Sequence, residues 1–227
     1  NSLCVLYPSI DFVLPTFADD TFTTDTSIPV NFSISKGTNT INNIKYIWNS
    51  TSYTLYNDSL LVMYNFDNNS ALGESATKVV DVSKNSNNGT INGGMIWNSS
   101  GKYGGAYMFD GSDDHIDVPG NYNLNAFTFS FWVRAGVSQQ TYADIFDNNH
   151  ANGNYVLQMD GSNTNNFYWG GQLLALTPLT WQHVLVTISS AQLVNFYING
   201  VSSGTANADL IQTISTIITT NAMRIGN

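Results

Sequence analysis

The residues that could do chemistry in this chain are mostly carboxylates and side-chain amides gathered in loops. Asp110, Asp113, Asp114 and Asp117 lie close together in sequence, and a second oxygen-rich run reads Asp147-Asn148-Asn149-His150-Ala151-Asn152-Gly153-Asn154. Hard cations take six to eight oxygen ligands, so both runs qualify as Ca²⁺ sites, with Asp113 and Asp114 as ligands in the first and Asp147 and Asn148 in the second. Each run has an equally physical alternative. Asp and Asn side chains accept hydrogen bonds from the backbone two residues on, so both also read as ordinary Asx turns. The two readings stay open for both clusters, and Ca²⁺ is the one cofactor they suggest.

Catalysis is harder to assemble. Glycoside hydrolysis needs two carboxyl groups about 5 to 9.5 Å apart, one of them held protonated near neutral pH. The chain has a single glutamate, Glu74, in a loop before Val79, and its aspartates cluster in turns rather than along a strand face. The histidines, His115, His150 and His183, stand far apart, and no Ser/His/Asp or Cys/His arrangement follows from their spacing. His183 sits in Trp-Gln-His-Val and reads as packing. We therefore expect no enzyme.

Binding is easier to assemble. Tyr142, Tyr155, Tyr168 and Trp169 flank Asn-rich loops. Aromatic faces beside amide side chains suit a pyranose ring, so Tyr142, Tyr155 and Trp169 are candidate carbohydrate contacts. The alternating Phe127, Phe129 and Phe131 read as core, as do Trp132 and Trp181. Sequons for N-glycosylation occur at Asn31, Asn49, Asn57, Asn68, Asn88 and Asn98, which leans toward an extracellular or cell-surface location.

Composition narrows the partners. Charged residues make up 10% of the chain and the net charge is −9, so no basic stripe exists to neutralise phosphates and nucleic acid is excluded. No apolar run approaches the 18 or more residues of a membrane-spanning helix. A single cysteine, Cys4, permits no intrachain disulfide and reads as a small apolar strand residue. No signal peptide is visible, and the chain is expected to begin after any processing point.

The elements that must position these residues are strands. Ile28, Val30, Phe32 and Ile34 alternate with polar residues, as do Ile44, Tyr46 and Trp48, so residues 1–58 read as a small immunoglobulin-like β unit. The second unit, residues 59–227, opens on an apolar strand at 60–67. Residues 104–118, GGAYMFDGSDDHIDV, read as two period-two runs around an Asp/Gly/Ser turn, a β-hairpin. Residues 127–133, 181–188 and 194–198 are strong strands, and Asn199-Gly200 is a hairpin turn. Residues 208–220 favour loop plus strand over helix because of their β-branched content.

Several pieces in order carry a family resemblance: LVMYNFDNNS (61–70), VVDVSKNSNNGTING (79–93), GKYGGAYMFDGSDDHIDV (101–118), FTFSFWVRA (127–135), WQHVLVTI (181–188) and VNFYING (194–200). The stretch from about residue 60 onward resembles a laminin-G-like domain of the concanavalin A-like lectin/glucanase superfamily. The resemblance implies an all-β jelly-roll β-sandwich of two curved antiparallel sheets. The junction at 43–67 is similar to that in archaeal surface proteins, where an immunoglobulin-like unit comes first. The superfamily's glucanases carry Glu-x-Asp-x-x-Glu on one strand, which this chain lacks. Related pentraxins keep an Asp-Asn pair for calcium where Asp147 and Asn148 stand.

One departure bears on partners. Family members continue past the segment matching 221–227 into a further strand, so the jelly roll is expected to lack its last strand. An unfilled sheet position presents unpaired N–H and C=O groups to another chain. The expected function is a surface or filament protein making adhesive or subunit contacts, with other copies or neighbouring surface proteins adding a strand at the C-terminal edge. A Ca²⁺-dependent carbohydrate-binding module is the alternative, with glycans as partners, and a glycoside hydrolase the weakest reading.

Overall fold

The computed structural model describes residues 9–13, 16, 24, 30–35, 44–48, 50–56, 59–120, 122, 124, 126–137, 143–147, 155–159, 166–169, 172–191, 193–207 and 223–226. The chain divides into two compact units, Asn1–Leu60 and Leu61–Asn227. Cys4, His150 and residues 208–220 lie outside the described residues.

The described part of the first unit consists of two antiparallel pairs. Strand β1 (Ser9–Val13) pairs with β2 (Asn31–Ser35), setting Phe12 opposite Phe32 and Ile10 opposite Ile34. Strand β3 (Ile44–Trp48) pairs with β4 (Thr51–Tyr56). Each pair is a separate two-stranded sheet. The expected alternating runs lie on β2 and β3, yet Phe32 and Ile47 on them are exposed, as are Ile10, Phe12 and Val30. An immunoglobulin-like arrangement would need two sheets packed face to face; the described residues supply these two pairs.

The second unit is a β-sandwich. Its strands are β5 (Lys78–Val79), β6 (Gly89–Asn92), β7 (Ile96–Asn98), β8 (Ala106–Met108), β9 (His115–Val118), β10 (Phe127–Arg134) and β11 (Asp144–Asp147). There follow β12 (Tyr155–Met159), β13 (Asn166–Trp169), β14 (Gln172–Ala175), β15 (Trp181–Ile188), β16 (Leu193–Ile198), β17 (Val201–Asn207) and β18 (Met223–Ile225). Among the described residues there is no α-helix, only one 3₁₀ turn at Ser70–Leu72. Eight strands form one antiparallel sheet in the order β14-β13-β12-β11-β18-β9-β6-β5, and four form a second in the order β10-β15-β16-β17.

The core follows from period two. Along β15, Gln182, Val184, Val186 and Ile188 are buried while the residues between them are not. Val184, Val186 and Ile188 share one cluster with Val194 and Phe196 of β16 and, from the facing sheet, Phe146, Leu157 and Leu174. Phe129 stacks on Phe146 with ring centroids 4.4 Å apart, and Phe131 meets the same ring edge-on at 5.2 Å. A second cluster holds Val79, Ile91, Met95, Ile116 and Val118, with Val62, Tyr64 and Phe66 packed against it. Met223 and Ile225 of β18 touch both clusters. The β16–β17 hairpin turns at Asn199 and Gly200, with φ of 51° and 78°, as the Asn-Gly dipeptide predicts.

Three expectations need correcting. Residues 104–118 are not a hairpin: β8 pairs back with β7 in its own two-stranded sheet, whereas β9 pairs with β6 and β18. The Asp-rich turn is therefore a corner carrying the chain from one sheet to another. Alternation fixes which face of a run is buried, not which strand it pairs with. Residues 60–67 are not a strand either, because no ladder reaches them. Trp132 is not core; the period of β10 turns it outward, 38% exposed. The strand β18 lies between β9 and β11. Among the described strands the four-stranded sheet ends in β10 and β17, and the eight-stranded sheet in β14 and β5.

Candidate binding surface

The corner before β9 is built from Asx turns stacked on one another. Asp114 Oδ2 accepts from the backbone N–H of Asp110 at 2.9 Å, and Asp110 Oδ1 accepts from Ser112 N–H at 2.8 Å. Gly111 at φ 75° lets the chain reverse there. Gly226, just after β18, closes the corner from the other side. It sits at φ +79°, and a side chain on it would collide with the Phe109 ring. Asp110, Asp113 and Asp114 each bring one carboxylate oxygen within 4.8 Å of the others. Asp114 is 4% exposed, and its Oδ1 is buried without a hydrogen-bond partner. Leaving a buried carboxylate oxygen unsatisfied is costly. Asp117 belongs elsewhere. It accepts from Arg224 Nε at 3.0 Å and from Asn92 Nδ2 at 3.0 Å across the ladder, and is not part of the cluster.

The other predicted metal ligands lie at the opposite end of the sheet. Asp147 is the last residue of β11, opposite Tyr155 on β12 and Arg224 on β18. Trp169 ends β13, so in this antiparallel sheet Asp147, Tyr155 and Trp169 stand on three successive strands at one end. The register gathers those three candidates and separates them from Asp113 and Asp114: Asp147 aligns with Arg224 and Arg224 with Asp117, so Asp147 lies on the Val118 side of the sheet, away from the corner. The two acidic clusters are distinct places. Asn148 and Tyr142 lie outside the described residues.

A surface that sequence reasoning missed lies on the outer face of β10. The Tyr103 ring meets Trp132 edge-on at 5.6 Å, and Lys102 Nζ lies 4.9 Å from the Trp132 ring centroid. His183 on β15 packs against the same ring at 5.3 Å and shares a 2.9 Å hydrogen bond with Ser130 Oγ. His183 is thus a packing residue, on the outside of the sheet. The missed signal is the parity of β10: once Phe127, Phe129 and Phe131 point inward, Trp132 must point out.

Glu74 is committed to structure. Its Oε2 accepts from Asn69 N–H at 2.6 Å and its Oε1 from Val80 N–H at 3.4 Å, with 4% of the residue exposed. Asp81, also buried and not singled out from sequence, accepts from Met63 N–H, Ser83 N–H, Ser83 Oγ–H and Asn87 N–H. Of the sequon residues, Asn68 and Asn98 are exposed. Asn88 is half-buried and its side-chain oxygen accepts from Asp81 N–H. Asn31 opens β2, and Asn49 and Asn57 lie outside the described residues.

Among curated proteins, none matches this sequence. Of solved structures, a tryptophan-to-alanine mutant of HCR/D superposes with a TM-score of 0.50 at 16% identity, covering 65% of this chain and 39% of that one. The botulinum neurotoxin type G receptor binding domain gives 0.46 at 15% identity, over 65% of this chain and 40% of that one. The binding domain of botulinum neurotoxin DC, solved with rat synaptotagmin II, gives 0.47 at 16%, over 66% and 41%. This chain spans about two-fifths of the length of the solved chains it matches. No helix in the described residues is long and apolar enough to cross a membrane. A laminin-G-type family profile, described as the concanavalin A-like lectin/glucanases superfamily, matches residues 110–227. With more than half its length matched, and two antiparallel sheets packed around a common core, the chain belongs to the concanavalin A-like lectin/glucanase superfamily.

Proposed function

We propose that this chain is a non-catalytic part of an extracellular surface or filament protein, making adhesive or subunit contacts through its laminin-G-like unit. The observation that carries this reading is Trp132, a large aromatic held outward at 38% exposure between Tyr103, Lys102 and His183. Exposed Trp and Tyr that are already packed against neighbours lose little entropy on contact, which is why such residues anchor interfaces. Glu74 supports the absence of catalysis, since both its oxygens are engaged with backbone N–H groups. Sequons on exposed Asn68 and Asn98 support an extracellular setting. Binding of the full chain to cells, to a glycan array and to itself tests the role. Trp132→Ala should weaken whichever binding is found about tenfold or more, with an unchanged melting temperature. Binding that ignores this substitution would remove the platform from the proposal.

A second reading, Ca²⁺-dependent carbohydrate binding, is favoured by Asp114. Three carboxylates converge at the corner, and one buried oxygen among them has no partner. Asp110, Asp113 and Asp114 would hold a hard cation there. Terbium luminescence titration checks the ion alone. Saturable binding reversed by EDTA and lost in Asp114→Asn supports the site; the same binding lost instead in Asp147→Ala moves it to the other cluster. Glycan binding that survives EDTA would set the calcium dependence aside. Hydrolysis of any glycan, abolished by Glu74→Gln, would overturn the non-catalytic reading.

A further inference from the structure

We infer that copies of this chain join head to tail, the tip of the β7–β8 hairpin of one copy seating in an acidic, apolar-walled hollow at the base of the same hairpin in the next. The inference rests on the proposed role in subunit contacts and names the surfaces that make them.

The hollow lies beside the corner before β9. Gly94, Ile96, Met108, Phe109, Asp110 and Asp114 line it. Ile96 is 65%, Met108 55% and Phe109 41% exposed, an apolar cluster rather than single scattered residues. At Gly94 even an added Cβ would meet nothing within 4 Å, so the hollow is open there. Carboxylate oxygens of Asp110, Asp113 and Asp114 converge to within 4.8 Å of one another, and Asp114 Oδ1 is buried without a hydrogen-bond partner. Convergent carboxylates repel one another, and burial of one of them strengthens the repulsion. Beside them Ile96, Met108 and Phe109 offer only carbon and sulfur. An occupant that suits both parts carries a cation and apolar surface together.

The other end of the hairpin supplies that pair. Ile96 aligns with Met108 at the hollow and Asn98 with Ala106 away from it, so residues 99–105 form the tip. Lys102 and Tyr103 stand on this tip, Lys102 exposed and Tyr103 70% exposed. Their geometry is set before contact. Gly101 N–H donates to Gly104 C=O at 2.9 Å, and Gly105 N–H to Asp67 Oδ1 at 3.0 Å. Tyr103 rests edge-on against Trp132, which also carries the Lys102 ammonium over its ring. A tip ordered in advance loses little entropy on binding. Two other cations of this unit are already engaged: Arg224 pairs with Asp117, and Arg134 donates Nε–H to Leu179 C=O.

In the joined copies the Tyr103 ring covers Ile96, Met108 and Phe109, while the Lys102 ammonium stands against the three carboxylates. Copies of a chain with net charge −9 and only seven basic residues repel one another, and setting one of those residues against an acidic cluster offsets that repulsion. Tip and hollow are different surfaces at opposite ends of one hairpin. The contact is therefore heterologous and repeats from copy to copy, as a ring or a filament. A contact of this size falls at or below the low end of specific interfaces, about 1,200 Å² in total, so each junction is expected to be weak.

Light scattering of the full chain in EDTA, from about 1 µM to about 1 mM, tests this. Mass should rise with concentration. Lys102→Glu and Asp113→Lys, both at exposed positions, should each weaken association about tenfold or more, because each sets like charges against each other. An equimolar mixture of the two variants should associate again, since the reversed tip of one then faces the reversed hollow of the other. A variant that had merely misfolded would not regain partners on mixing. Single variants that associate like the parent chain, or a mixture that stays apart, would overturn the tip-in-hollow contact. Association that appears only when Ca²⁺ replaces EDTA would overturn it too, and assign the carboxylates to the ion. A chain monomeric throughout would overturn the inference yet leave the adhesive role standing if Trp132-dependent binding to cells or glycans persists; with that binding also absent, the role falls as well.

Discussion

Tyr64 joins the buried carboxylate of Asp81 to the packing of the second core cluster. Its hydroxyl donates to Asn87 C=O at 2.5 Å, and its ring lies 5.9 Å from Phe66. Burial, then the Asp81 charge and Tyr122, hold the phenol well above its ordinary range. Tyr122 is pushed up to about 12 by burial and by the same aspartate. Both phenols therefore stay neutral in the fold at a pH where the unfolded chain, near 10, already loses its protons. The folded state binds more protons in that window, so stability is fully present below pH 10 and falls as pH rises through 10 to 12. Tyr64→Phe should cost about 1 kcal/mol at neutral pH for the lost hydrogen bond and make the alkaline loss shallower. Urea midpoints at pH 8 and pH 11 check this; an equal shift at both would deny the phenol its role.

Elements here are fixed by what closes them. Glu74 closes the loop from Asn69 to Val80 by accepting both backbone N–H groups. Glu74→Gln exchanges one acceptor for an N–H that finds only another N–H, so a loss of about 1–3 kcal/mol is expected, a melting temperature several degrees lower in a domain of this size. Glycan and self-binding should not change, because the side chain reaches no surface; a change there would contradict its structural assignment. Phe146 ties the sheets together, since both Phe129 and Phe131 of β10 rest on its ring. Phe146→Ala should cost about 3–5 kcal/mol, read as a large drop in the urea midpoint.

At the scale of the whole molecule, sequence and structure divided the work unevenly. The sequence by itself determined the β class, the strands β10, β15 and β16, the Asn199-Gly200 turn and the superfamily. Period-two alternation and turn chemistry are local and survive without knowledge of neighbours. It also determined that Glu74 has no partner glutamate. Only the tertiary structure decided which strands pair. It turned the 104–118 hairpin into a corner between sheets and left residues 61–67 without a ladder. It placed β18 between β9 and β11. It separated Asp114 from Asp147 and brought Lys102, Tyr103 and Trp132 together from distant positions. The physical reason is common to all of these. A strand's own residues specify its faces, but its edges are satisfied by hydrogen bonds to segments far away in sequence, and those partners are chosen only when the sheets assemble.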